Sequence, residues 1–403
     1  MVQYEQGSEM KRMSDERFDC IIVGGGLAGL TAAYVLAGEG QEVLLVEKGN
    51  YSGAKNMTGG RLYGHSLDKV IAGFAESAPV ERRIVKERFT RGVGEDMVTA
   101  EYDSAGLACP SGESYAVLRG KFDRWLADQA EEQGAMLIYG VRVDSLLEAD
   151  GKVYGVVAGD EEMEADVVIL ADGVNSILAQ KLGYKAPPEA GQVTVGAKEV
   201  IGLSEEIINQ RFNLASGEGL AWMFYGNGQV YDAFLYTNKD SVSVGVTMMV
   251  EDIDHTENSL PQMLEDFKNN SQIAPLLQDG RLMEYSAHLI PEGGENMLPR
   301  LCGDGVLLAG DAAALCANLG FTLRGMDLAV ESGRLAAQTV LAAKEQGDFS
   351  AATLSAYERA LQESFVLSCV KGGESCREAV KAGGFEDNPA GVLNDAMGKA
   401  GIR

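Results

Sequence analysis

No apolar run in the 403 residues approaches the roughly 18 that span a bilayer; stretches such as "DVVILAD" and "GVLLAGDAAALCANLG" are short or broken by Asp. That excludes a helical membrane-spanning protein. Basic residues are scarce, 34 Lys and Arg against 60 Asp and Glu, and the resulting charge of −26 repels nucleic acid and anionic lipid surfaces alike. The one dense basic stretch, "ERRIVKERFTR" (Glu81 to Arg91), reads as a solvated helix face. Six cysteines occur without a C-x-x-C pair, which argues against a zinc knuckle, a redox dithiol or an iron–sulfur cluster held by this chain. Three dispersed histidines, His65, His255 and His288, give no metal site, and none is expected. The opening "MVQYEQGSEMKRMSDER" has no apolar core and reads as a disordered leader over 1–16, with Met13 as a second possible start. Without a secretory signal, reduced thiols and a cytoplasmic location are expected.

Glycine, by contrast, is abundant and placed. In "FDCIIVGGGLAGLTAAYVLAGEGQEVLLVEKG" (Phe18 to Gly49) a β-branched run leads into Gly24, Gly26 and Gly29 in G-x-G-x-x-G spacing, and a helix follows. Gly24 permits the tight turn, Gly26 lets backbone approach a pyrophosphate, and Gly29 lets helix pack on strand. The first helical amides, at Leu27 and Ala28, add donors and the positive end of the helix dipole. The next strand, "EVLLVEK", ends in Glu47, an acidic residue about 20 positions on that can accept hydrogen bonds from a ribose. Lys48 follows it. The pattern predicts a dinucleotide, NAD or FAD.

Two further strand ends bear on that choice. "GVLLAG" ends in Gly310-Asp311 and is followed by a long helix predicted from Met326 to about Lys344. "EADVVILADGVNSILAQKLG" carries Ala171, Asp172 and Gly173 from a strand into a helix. With "YAVLRGKFDRWLADQAEEQGA", which contains R-x-x-F-D-x-x-L beginning at Arg119, these segments resemble the motif set of the p-hydroxybenzoate hydroxylase-like superfamily. The resemblance implies FAD as the dinucleotide, Asp311 on its ribityl chain and Arg119 near the flavin. Val143 and Gly320 complete the candidate cofactor contacts.

Patterning predicts an α/β protein: a Rossmann-like FAD-binding domain from 17–60, 115–185 and 298–345, interrupted by 61–114 and 186–297 as the substrate or quinone domain. The second insertion is strand-rich, since "VTVGAKEVIGL", "GLAWMFYG", "QVYDAFLYT" and "SVSVGVTMMV" are β-type runs between turn residues. An inserted α+β domain with an antiparallel sheet over the flavin is expected. Residues 346–403 read as helical and then Gly-rich.

"YSGAKNMTGGRLYGHSL", "FLYTNKDSVSVGVT", "AHLIPEGG" and "GDAAALCANLGFTLRGMDLAVESG" resemble the FixC branch of the electron-transfer flavoprotein:quinone oxidoreductase family, with the likeness running from about Phe18 to Leu341. The resemblance implies electrons received from a partner electron-transfer flavoprotein and passed toward a quinone, a separate ferredoxin-like iron–sulfur subunit, in some complexes bifurcation, and peripheral membrane contact through the complex. It places Thr58, Gly59, Gly60 and Arg61 along the isoalloxazine. Arg61, His65 and Arg324 are the candidate catalytic residues: Arg61 to stabilise anionic reduced flavin, His65 to deliver a proton. Trp222, Phe224 and Tyr225 are read as a candidate apolar wall, or plain core. Two alternatives stand beside this: a geranylgeranyl (prenyl) reductase-like flavoenzyme, resisted by Asn318 where that family has Pro, and a wiring subunit without turnover when isolated.

Overall fold

The computed structural model describes residues 17–56, 60–93, 96–103, 113–225, 231–292, 294–319 and 322–381. The expected leader, Thr58, Gly59, Gly320 and the Gly-rich end lie outside the described residues.

The β-branched run "CIIV" is buried on both faces, as strands of a covered parallel sheet are. The strand Arg17–Val23 is flanked by Val43–Glu47 on one side and Glu161–Leu170 on the other, all parallel. Val306–Leu308 extends the sheet beyond Glu161–Leu170, and Met136–Tyr139 extends it beyond Val43–Glu47, both again parallel. A hairpin, Ser145–Ala149 and Lys152–Ala158, joins through Glu161–Leu170. The helix Leu27–Gly38 is apolar almost all round and correspondingly buried; it packs against Arg119–Glu132 and Met326–Gln346. Three chain turns leave neighbouring parallel strands at the same end. Gly24 N–H donates to Val46 (2.9 Å), Ala171 N–H to Val23 (2.8 Å) and Ala309 N–H to Leu170 (2.9 Å). That carboxyl edge is where open α/β sheets bind ligands.

The two insertions build one nine-stranded sheet rather than separate pieces. Its strands run mostly antiparallel, but Glu218–Tyr225 pairs in parallel with Val80–Val93, which joins the first insertion to the second. Ser114–Val117 pairs with Gly60–Tyr63 in this sheet, and Arg119–Glu132 returns the chain to the other. Val80–Val93 corrects the helical reading of Glu81 to Arg91. Arg82 is 1% exposed, its guanidinium bonded to the carbonyls of Asn238 and Glu218 and to Asn209, and Lys86 and Glu87 are buried as well. Arg82, Lys86 and Glu87 are spent on internal partners, while Arg83 stays exposed beside Glu113.

Helices Glu205–Phe212 and Leu260–Lys268, started by Ser204 and Ser259 hydroxyls that accept first-turn amides, cover one face of this sheet. Trp222 and Phe224 lie in that core, stacked on each other at 4.7 Å, with Phe224 edge-on to Phe267 at 4.9 Å. They are core residues. Because strand side chains alternate, the opposite face falls to Met223, directly across from Phe234. The C-terminal segment forms helices Ala351–Leu354, Ala356–Glu363 and Phe365–Lys381.

Candidate functional site

Between the carboxyl edge of the parallel sheet and the free face of the second sheet lies a cavity of about 780 Å3. Of the residues expected there, Gly24, Gly26, Leu27 and Ala28 line it from the glycine turn, and Glu47, Lys48 and Val143 from beside the second strand. Ala171, Asp172 and Gly173 supply the middle turn, Gly310 and Asp311 the third. Gly60, Arg61 and Arg119 complete the wall. Gly29 does not line it; it packs beneath the turn, where an added Cβ would meet the Gly24 carbonyl at 2.1 Å.

The glycine turn has the shape of a phosphate cradle. Gly24 has φ +109°, and a Cβ there would stand 2.3 Å from the Ala171 carbonyl oxygen. Gly26, at the N-cap of Leu27–Gly38, has no side chain closing the first-turn amides, and a Cβ on it would meet only Asn56 Nδ2, at 3.9 Å. The backbone is thus bare toward the cavity at the positive end of a helix, as an anionic diphosphate requires. Glu47 is fixed by two amides, Gly25 N–H to Oε2 (2.7 Å) and Gly49 N–H to Oε1 (2.6 Å), which aim the carboxylate while leaving acceptor capacity for a ribose. Arg119 is held by Asp123 in a two-bond fork of 2.7 and 2.8 Å, and Asn56 Nδ2 braces the same carboxylate at 2.8 Å. Asp311 sits opposite His288. Burial pushes the Asp311 carboxyl up from its ordinary range while His288, Arg119 and Lys185 pull it back; burial lowers the imidazole of His288. The donor set fits FAD: an amide-rich helix start for the diphosphate, carboxylates for two polyols, and an apolar face of Met223, Phe234 and Tyr236 for a ring.

His65 and Arg324 stand beside this cavity rather than in its wall. Arg324 Nε donates to Asp327 Oδ2 at 2.7 Å, and its Nη2 lies 2.9 Å from His65 Nε2. The guanidinium also stacks over Tyr63 (4.8 Å) and Phe365 (5.1 Å). Burial works to raise the Asp327 carboxyl, but Arg324 and His65 outweigh it and hold it below the usual carboxylate range. The helix that carries Asp327, Met326–Gln346, borders the cavity through Met326. Arg61 does reach the wall: it pairs with buried Glu87, donates to Ser114 Oγ at 2.8 Å and stacks on Tyr63 at 4.5 Å. His288, Lys185, Asn56 and Asp123 were not singled out from sequence. Asp123, Asn56 and His288 lie inside segments read for other residues and Lys185 lies outside them, and only the fold brings the four to the site.

The profile of the FAD binding domain family matches residues 17–364. The probable electron transfer flavoprotein-quinone oxidoreductase YdiS of Escherichia coli K12 is 52% identical over 358 residues, covering 88% of this chain and 83% of that protein. The chain belongs to the FixC and electron transfer flavoprotein-quinone oxidoreductase family. Protein FixC of Escherichia coli O157:H7 is 53% identical over 87% of the chain and 82% of its own length. Protein FixC of Bradyrhizobium diazoefficiens is 38% identical over 89% and 84%. Like its FixC-family relatives, the chain is an FAD-dependent oxidoreductase. Among solved structures, a geranylgeranyl bacteriochlorophyll reductase-like protein of Thermoplasma acidophilum shares the fold at TM-score 0.78 and 21% identity, covering 95% of this chain and 96% of that one. The flavin-dependent brominase Bmp2 does so at 0.73 and 15%, over 96% and 94%. Among the described residues no helix is long and apolar enough to cross a membrane, and no cluster of His, Cys, Asp and Glu could hold a metal.

A FixC-family site of this form makes Asp311→Ala an informative variant. Removing a carboxylate acceptor at the strand end is expected to weaken FAD retention about tenfold to a hundredfold, the worth of one charged hydrogen bond. Equilibrium dialysis of the holoenzyme reads it; undiminished flavin occupancy removes Asp311 from the FAD contacts.

Proposed function

We propose that this chain takes electrons from a partner electron-transfer flavoprotein and passes them toward a quinone, a ferredoxin-like subunit, or both in a bifurcating complex. The observation that carries the reading is identity of about half the residues with proteins named FixC and electron transfer flavoprotein-quinone oxidoreductase, over nearly the whole of the described fold. Residues 17–60, 115–185 and 298–345, apart from Gly60 and 115–117 at the edges that pair in the second sheet, are the FAD-binding part; 61–114 and 186–297 form the acceptor part.

FAD, once bound, supplies the redox centre. The residues of the chain do the rest. The Gly26 turn would meet the diphosphate, Glu47 and Asp311 would orient the two polyol ends, Arg119 would stand near the flavin, and Arg61 would place positive charge where the reduced ring gathers negative charge. Met223, Phe234 and Tyr236 keep water from that face. Sequence and fold offer one G-x-G-x-x-G turn, already committed to FAD, which favours electrons arriving from another protein over a nicotinamide bound by this chain. The acidic surface suits a basic docking partner, whose encounter weakens as salt rises. The prenyl reductase alternative rests on likeness of fold; the wiring-subunit alternative differs in lacking turnover alone.

An anaerobic visible spectrum tests the proposal. NADH added to the yellow protein alone is expected to leave the flavin band intact, and the reduced electron-transfer flavoprotein to bleach it. Rapid bleaching by NADH without partner sinks the partner-fed reading and returns the protein to the self-standing reductases.

A further inference from the structure

Lys185 lies outside every motif of the sequence, in the loop after the short helix Ile177–Lys181, and is 6% exposed. Its Nζ donates to three backbone carbonyls: Val174 at 2.7 Å, Ala312 at 3.1 Å and Asp311 at 3.3 Å. An ammonium has three protons to give, and here each has a carbonyl. Val174 belongs to the turn that carries Asp172, while Asp311 and Ala312 belong to the turn that presents Asp311. One buried cation therefore ties together two of the three strand-end turns that make the cavity. In a trans peptide the carbonyl and the following N–H point opposite ways, and no cis peptide occurs among the described residues. Anchoring the carbonyl of Asp311 thus fixes one of the two peptide planes that flank its Cα, and the Ala312 carbonyl fixes the plane after it.

We propose that Lys185 is a positioning residue of the FAD site, whose charged ammonium clamps the Asp172 and Asp311 turns in the geometry that retains FAD. The inference needs only that the cavity hold FAD and does not depend on which partner supplies electrons. Burial lowers the Lys185 ammonium to about 8, against the pull of Asp311 and Asp172. The other charged or titratable groups facing those carboxylates are His288, Arg119 and the Cys316 thiol toward Asp311 and Lys48 toward Asp172.

The clamp and the fold respond to pH with opposite sign. Above about 8 the neutral amine has lost its charge and keeps two protons for three carbonyls, so the clamp loosens and FAD retention falls. A lysine whose folded value is depressed costs stability while charged; that cost is present below about 8 and fades toward its ordinary value of 10.5, so its share of folding stability does not fall over the same window. Loss of FAD from a protein that stays folded distinguishes a clamp from a merely structural lysine.

The test follows FAD release from the holoenzyme through the pH window around 8, with thermal unfolding alongside, for wild type, Lys185→Met and Lys185→Arg. Lys185→Met is expected to hold FAD about tenfold to a hundredfold more weakly, without the pH step. Lys185→Arg, which stays charged, is expected to restore most of the affinity and also lose the step. Wild-type affinity in a folded Lys185→Met protein overturns the proposal. Should that variant fail to fold, a wild-type affinity flat across the window, or a step that persists in Lys185→Arg, overturns it equally.

Discussion

Gly26→Val is expected to give a folded protein that purifies colourless. The backbone at Gly26 has φ −90° and ψ −177°, an extended conformation open to any residue, so valine is admitted without strain. Its Cβ meets nothing of the chain closer than Asn56 Nδ2 at 3.9 Å. The methyl groups must then stand in the cavity, at the helix start where the diphosphate would approach. The cost to folding is limited to a poorer N-cap, on the order of a few tenths to 1 kcal/mol. The cost to binding is loss of the cradle itself. Gly24→Val is the contrasting control: with φ +109° and an oxygen 2.3 Å from its would-be Cβ, it is expected to damage the fold. Flavin absorbance together with thermal unfolding separates the two, and a yellow Gly26→Val protein refutes the placement of FAD on this turn.

That contrast also marks what the sequence made legible. Gly24, Gly26, Glu47, Asp172 and Asp311 could be read because each sits at a fixed offset from a short apolar strand, where local spacing decides which side chain reaches the sheet edge. The helix read as Met326 to about Lys344 runs Met326–Gln346, for the same reason. Long-range pairing left no such trace. Nothing local to "ERRIVKERFTR" announces that it lies parallel to Glu218–Tyr225, because the partners of its buried charges are far away in sequence: Arg82 is bonded to Asn209 and to the carbonyls of Glu218 and Asn238, and Glu87 is paired with Arg61. Trp222 and Phe224 were undecidable until the sheet fixed which parity faces the helices. Lys185 and His288 are single residues from separate segments, and charge meets charge at the cavity only after both sheets close over it.

Arg61→Met is expected to cost about 3–5 kcal/mol of stability, because it strands Glu87 as an unpaired buried charge. Both side chains are 3% exposed. Denaturant unfolding reads this loss, and the double variant Arg61→Met/Glu87→Gln, which removes both charges, is expected to recover most of it. The double variant then isolates what Arg61 does for the flavin. Arg61 Nη2 is buried without a hydrogen-bond partner among the described residues, and Arg61 lines the cavity, so Nη2 of a fixed cation has N–H to give to whatever occupies it. If that N–H meets the reduced ring, the double variant keeps its fold and its flavin, but its two-electron potential falls. Losing a charged hydrogen bond of about 1.5–3 kcal/mol corresponds to roughly 30–60 mV. A potential equal to wild type in a stable, flavin-replete double variant makes Arg61 the ion-pair partner of Glu87 and nothing more, and leaves stabilisation of the reduced ring to the backbone amides of the turns around it.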